Sequence, residues 1–149
     1  MYKRQAEFDA ILTGGNTVRN DNPRMNARVN FEINQPKKIL LTSQNKWNEN
    51  MNFFQTSDVE IIAEKNLHTV INKISRQNIN SVLVEAGPKL VNAFLKEGLC
   101  DELIVYKSPD NLGDAAVSWF EGKKPFDNFD FNLTSSYTID RDKKSIYTK

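Results

Sequence analysis

Ser81-Val82-Leu83-Val84-Glu85-Ala86-Gly87-Pro88 is the stretch on which the fold turns. Ser81 to Glu85 is a nearly continuous apolar run, the pattern of a strand buried on both faces of a parallel sheet. Ala86-Gly87 interrupts it, and Pro88 suits the first position of a helix, where its missing N–H is no loss. Leu90, Val91, Phe94 and Leu95 then recur on one helical face, and Gly98 supplies a stop. A buried strand passing through glycine into a helix is the repeating half of a β-α-β architecture.

The same grammar extends outward. Phe8 to Leu12 reads as a strand ending in Thr13-Gly14-Gly15, after which Asn16 or Thr17 is placed to cap a short helical turn ahead of Asp21-Asn22-Pro23. Polar residues 24–35 lead through Pro36 into a strand at 37–42. Residues 44–57 read as loop, 59–63 as a third strand, and 67–77 as a helix with Leu67, Val70, Ile71 and Ile74 on one face. Leu103 to Tyr106 is a further strand, 108–127 is irregular with a short helix at 115–120, and 131–139 with 145–148 form a hairpin turning through 140–144. The class is α/β: a mostly parallel sheet with a C-terminal antiparallel hairpin.

Composition narrows the function. The 149 residues are 39% hydrophobic and 26% charged, enough for the core of a single domain. With 20 Lys+Arg against 19 Asp+Glu, the net charge of +1 leaves no nucleic-acid footprint. One cysteine, Cys100, and one histidine, His68, are too few for a zinc site, so no metal is expected. Without a membrane-length apolar run or a signal-peptide pattern, the expectation is a cytoplasmic protein with no membrane partner. The pairs Lys37-Lys38, Lys123-Lys124 and Lys143-Lys144 are read as solvated charges.

Ligands of open α/β sheets gather beyond the carboxyl ends of the strands. Two junctions qualify. At Glu85 to Leu90, a helix start offers backbone N–H groups to a phosphate, and Gly87 removes a Cβ from its path. Ordinary capping accounts for the same spacing. At Leu12 to Thr17, paired glycines allow a backbone approach or a simple tight turn, with neither the dinucleotide nor the Walker spacing. Glu85, a carboxylate ending an apolar strand, is either a site acid or a rim carboxylate with a local partner.

Taken together, these segments resemble the reductase domain of bacterial riboflavin biosynthesis, the C-terminal half of a bifunctional pyrimidine deaminase/reductase. The matching blocks are Asp9 to Leu12, Thr17-Val18-Arg19-Asn20-Asp21-Asn22-Pro23 with Arg28, and Gln35-Pro36 leading to Ser43. Asn80 to Pro88 follows, then Leu90, Ala93-Phe94-Leu95, Gly98-Leu99, Asp101 to Tyr106, Pro109 and Leu112-Gly113. The resemblance implies a dihydrofolate-reductase-like three-layer sandwich. It implies NADPH-dependent reduction of the ribosyl group of 5-amino-6-(5-phosphoribosylamino)uracil to a ribitylamino product. The alternatives are another reductase of that fold or a nucleotide-binding module without catalysis. By position, Thr17, Asp21, Ser43 and Gly87, Pro88, Lys89, Leu90, Val91, Asn92 and Ala93 correspond to NADPH contacts. Met25, Arg28 and Glu85 correspond to substrate contacts, with Glu85 the catalytic candidate. A homodimer and an upstream zinc deaminase domain are also implied.

Three departures accompany the resemblance. The family's first strand and following turn are expected upstream and are missing from this chain. A substrate-binding arginine of the family falls at Gln5. Asp110-Asn111 stands where a basic or apolar pair is usual. Met1-Tyr2-Lys3-Arg4-Gln5 also reads as the translation of a sequencing-library transposon adapter, so residues 1–5 are expected to be a non-native scar and 6–149 a single, partial reductase domain. Such a fragment is expected to be unstable and nearly inactive alone.

Overall fold

The first apolar runs of the chain become parallel strands β1 (Ala10–Gly14), β2 (Lys37–Leu41), β3 (Val59–Ile62) and β4 (Val82–Val84), in the sheet order β3-β2-β1-β4. The computed structural model describes residues 4–56, 58–113, 116–120 and 129–149, which divide into an amino-terminal unit through Val91 and a carboxyl-terminal unit from Asn92. The α/β class is the one the sequence predicts, with a mostly parallel sheet and a C-terminal hairpin.

In the first unit, Leu12 pairs with Val84 and Gly14 with Leu41. The carboxyl ends of β1, β2 and β4 therefore finish along one edge of the sheet. At the opposite end, Asp9 Oδ2 accepts from the Asn80 and Ser81 amides and the Ser81 hydroxyl, at 2.8–3.1 Å. These donors, Asn80 first, hold its carboxyl below the usual range despite a small opposing effect of burial. Helix α1 (Gly15–Asp21) starts directly from β1 with Gly14 as its N-cap and no side-chain cap. Asn16 and Thr17, the expected caps, thus lie inside the helix, two and three residues past its actual N-cap. Gly15 permits this because a Cβ there would sit 2.8 Å from Thr42 Oγ1 and 3.1 Å from Thr42 Cβ.

Helix α2 (Leu67–Ser75) is capped by Asn66, whose side chain accepts from the Thr69 amide at 3.0 Å, and it buries Leu67, Val70 and Ile74. Helix α3 (Pro88–Lys96) ends as the sequence predicts. Gly98 takes φ +70°, its N–H reaches the Leu95 carbonyl, and the Leu99 N–H reaches that of Phe94.

The second unit differs from the single largely parallel sheet the sequence suggested. Strand β5 (Glu102–Lys107) lies antiparallel to β7 (Asp142–Thr148), which pairs in turn with β6 (Asn132–Ile139). The expected five-residue turn tightens to Asp140-Arg141, because Lys143 and Lys144 are needed opposite Thr138 and Tyr137. Asp140 adopts φ +53°, as such tight hairpins require. Residues 116–120 of the expected short helix are irregular, and residue 115 lies outside the described residues.

Two of the lysine pairs each hold one member that is not a solvated charge. Lys144 is 7% exposed, with its ammonium 5.7 Å from the Tyr106 ring centre and 5.1 Å from that of Tyr137, a cation between two aromatic faces. Lys38 is fully buried in β2. Its ammonium donates to the Phe53 carbonyl and the Thr56 hydroxyl, both at 2.7 Å, and lies 5.1 Å from the Phe53 ring centre. Burial lowers its pKa from an ordinary 10.5 to about 8. Lys123 and Lys124 lie outside the described residues.

Candidate active site

Gly14-Gly15, Thr42-Ser43 and Glu85-Ala86-Gly87 follow the flush ends of β1, β2 and β4, so the sheet register alone gathers most of the expected site in the first unit. The Glu85 amide continues the ladder by donating to the Leu12 carbonyl at 3.0 Å. Its side chain is half-buried at the mouth of the α3 turn. The two junctions are then joined directly: the Gly87 N–H donates to Thr17 Oγ1 at 3.3 Å. A Cβ on Gly87 would meet nothing nearer than that hydroxyl, at 4.0 Å.

Pro88 opens α3 without an N–H, and the Leu90 and Val91 amides both turn back to the Gly87 carbonyl. Gly87 is exposed at this helix start, its N–H already given to Thr17. Leu90 packs behind the junction, its Cδ2 3.5 Å from where a Gly14 Cβ would lie. Lys89 is exposed beside it, and Ala93 is half-buried further along the helix. Asn92 is buried in the second unit, with its amide donating to the Trp119 carbonyl at 3.0 Å.

Beyond α1 the chain bends sharply. Asn22 caps the helix in the left-handed region at φ 43°, and Met25 returns there at φ 44°. Met25 turns its side chain into a core cluster with Ile11, Val18, Leu40 and Phe53, while Asp21 and Arg28 stay exposed on either side of it. Ser43 is exposed just past β2. Arg19 braces this side: its guanidinium donates to Gln44 Oε1 at 2.7 Å and to Asn16 Oδ1, and it stacks over the Trp47 ring.

Sequence reasoning gave Gln5 no contact of its own. It is 1% exposed, and its Nε2 donates to Glu85 Oε2 at 2.7 Å. Gln5 Oε1 is buried without a hydrogen-bond partner among the described residues, as is Thr13 Oγ1 at the end of β1. The signal was positional: the residue facing Glu85 is the one at which the resemblance set an arginine.

A cleft of about 390 Å³ lies at the other end of the strands, among Phe8, Asp9, Pro36, Lys37, Asn78 and Ile79. It is remote from Glu85 and Gly87 in the strand direction and collects none of the expected site residues.

The chain is similar in sequence and fold to known proteins. Residues 1–144 match the RibD C-terminal domain family. The riboflavin biosynthesis protein RibD of Escherichia coli is 31% identical over 75% of the chain and 40% of its own length. The 5-amino-6-(5-phosphoribosylamino)uracil reductase of Buchnera aphidicola is 28% identical over 78% of the chain and 73% of its own length. Among solved structures, Acinetobacter baumannii RibD superposes with a TM-score of 0.85 at 26% identity, covering 99% of this chain and 48% of that one. The chain thus spans about two fifths of the RibD proteins of Escherichia coli and Aquifex aeolicus.

Proposed function

Because the chain belongs to the RibD C-terminal domain family, we propose that it is the reductase part of a riboflavin-pathway enzyme, acting on the ribosyl group of 5-amino-6-(5-phosphoribosylamino)uracil with NADPH. The reading is supported above all by one observation: Glu85 directly follows β4, beside a helix start that Thr17 ties to the β1–α1 junction. The carboxylate thus stands beside the exposed Gly87 turn, where the dinucleotide is proposed to lie.

In this reading Thr17, Asp21, Ser43 and Gly87 to Ala93 hold the dinucleotide, the Gly87 turn and the first turn of α3 taking a phosphate. When bound, the reduced nicotinamide supplies the hydride. Arg28 takes the substrate phosphate through its forked donors, and Met25 shapes the wall behind it. Glu85, steadied by Gln5, accepts a hydrogen bond from the sugar and orients it. A zinc deaminase half completes the full-length protein, which works as a cytoplasmic homodimer.

The test is direct. Full-length protein supplied with NADPH and the phosphoribosylamino-pyrimidine should oxidise the cofactor and release the ribitylamino product, read by absorbance and mass spectrometry. NADPH binding without product would turn the assignment toward another reductase of the same fold, and no NADPH binding would remove it. The 149-residue chain alone should turn over little or not at all.

A further inference from the structure

We propose that Lys38 is a positioning residue for the ligand-facing loop 22–28, acting through a strap, residues 52–56, that it holds from inside the core. The proposal rests on the preceding reading only in calling that loop ligand-facing. Lys38 lies in the middle of the sheet, fully buried, where an apolar side chain would be the ordinary choice. Its ammonium grips the strap at two points, the Phe53 carbonyl and the Thr56 hydroxyl.

The strap in turn holds the loop. The Asn52 amide donates to Asn22 Oδ1 at 2.8 Å, and Asn52 Nδ2 donates to the Asn22 carbonyl at 3.3 Å. Asn22 and Met25 both occupy the left-handed region, a conformation that non-glycine residues keep only under outside restraint. Phe53, fixed by Lys38 at its carbonyl and ring, shares a core cluster with Met25. Loop 22–28 is therefore pinned twice to the strap, by hydrogen bonds at Asn22 and by packing at Met25. The strap is anchored to β2 by a side chain that ordinary core packing does not call for.

The experiment uses the full-length protein and compares Lys38→Met, Lys38→Arg and Thr56→Val by hydrogen exchange and ligand binding. Lys38→Met should speed amide exchange in 22–28 and 52–56 by about tenfold or more, leaving 11–13 and 39–41 within about twofold. It should weaken D-ribose 5-phosphate by about tenfold with NADPH affinity little changed, and Lys38→Arg should recover most of the loss. Thr56→Val removes one acceptor at an exposed position without touching the buried stem. It must loosen the same two segments, even if Lys38→Met fails to fold. Exchange that rises uniformly through the sheet, or a loop 22–28 unmoved in Thr56→Val, overturns the proposal. The sugar-phosphate arm bears on the ligand reading, whereas the exchange arm stands without it.

Discussion

In the proposed site the chemistry converges on Glu85, whose carboxylate accepts a hydrogen bond from Gln5 Nε2. Glu85→Gln keeps the shape and loses the charge, so turnover of the full-length enzyme should fall by about 100-fold, the usual worth of a well-placed acid–base or electrostatic group. Unchanged steady-state rates would move the active centre elsewhere. Gln5 invites the opposite experiment. Its Oε1 is buried without a partner among the described residues, so Gln5→Leu removes an unsatisfied acceptor together with the donor that serves the Glu85 carboxylate. The two effects oppose each other, and chemical denaturation should show stability changed by no more than about 1 kcal/mol. At this scale the sequence announced Glu85, because a carboxylate closing an apolar strand is conspicuous. It marked Gln5 only by position and not by its contact, since the partner lies 80 residues away.

Among the elements, the β1–α1 junction depends on the absence of a side chain at Gly15. Gly15→Ala would press a methyl group against Thr42 and should cost about 1–3 kcal/mol in thermal or denaturant melts, through displacement of the end of β2. Strand β2 carries a second prediction. Lys38 gives up its proton near pH 8 in the folded chain but only near 10.5 when unfolded. The unfolded state then binds more protons across that interval, and stability should rise with pH through it. Melts of Lys38→Met should lack the rise. The strands and helices around Ser81–Pro88 were legible because apolar continuity, glycine and proline are local signals. The burial of Lys38 was not, since its acceptors come from a 3₁₀ turn at Asn52–Phe54 and from Thr56 just after it, within a loop that shows no periodicity. Antiparallel pairing of β5 with β7 was hidden for a similar reason: an apolar run does not name its neighbour.

For the whole molecule, acid stability centres on Glu60. Burial pushes its carboxyl up, but hydrogen bonds from Lys37, Gln77 and Lys73 and the charge of Lys37 outweigh it and bring the pKa from 4.5 down to about 2. The stabilisation is complete above pH 4.5 and drains away toward pH 2, so melting temperature should drop across that range and Glu60→Gln should flatten the drop. The group links β3, β2 and α2, which makes the loss one of tertiary docking. Strand β4 ends the first sheet, with β1 its only ladder partner among the described residues. Its Val82-Leu83-Val84 core sits at a rim where soluble proteins ordinarily station charge or proline. Handled at high concentration, preparations of this chain should therefore be judged for self-association by light scattering before any kinetic constant is taken, since a sticky margin of that kind can withdraw molecules from solution without altering the chemistry of those that remain.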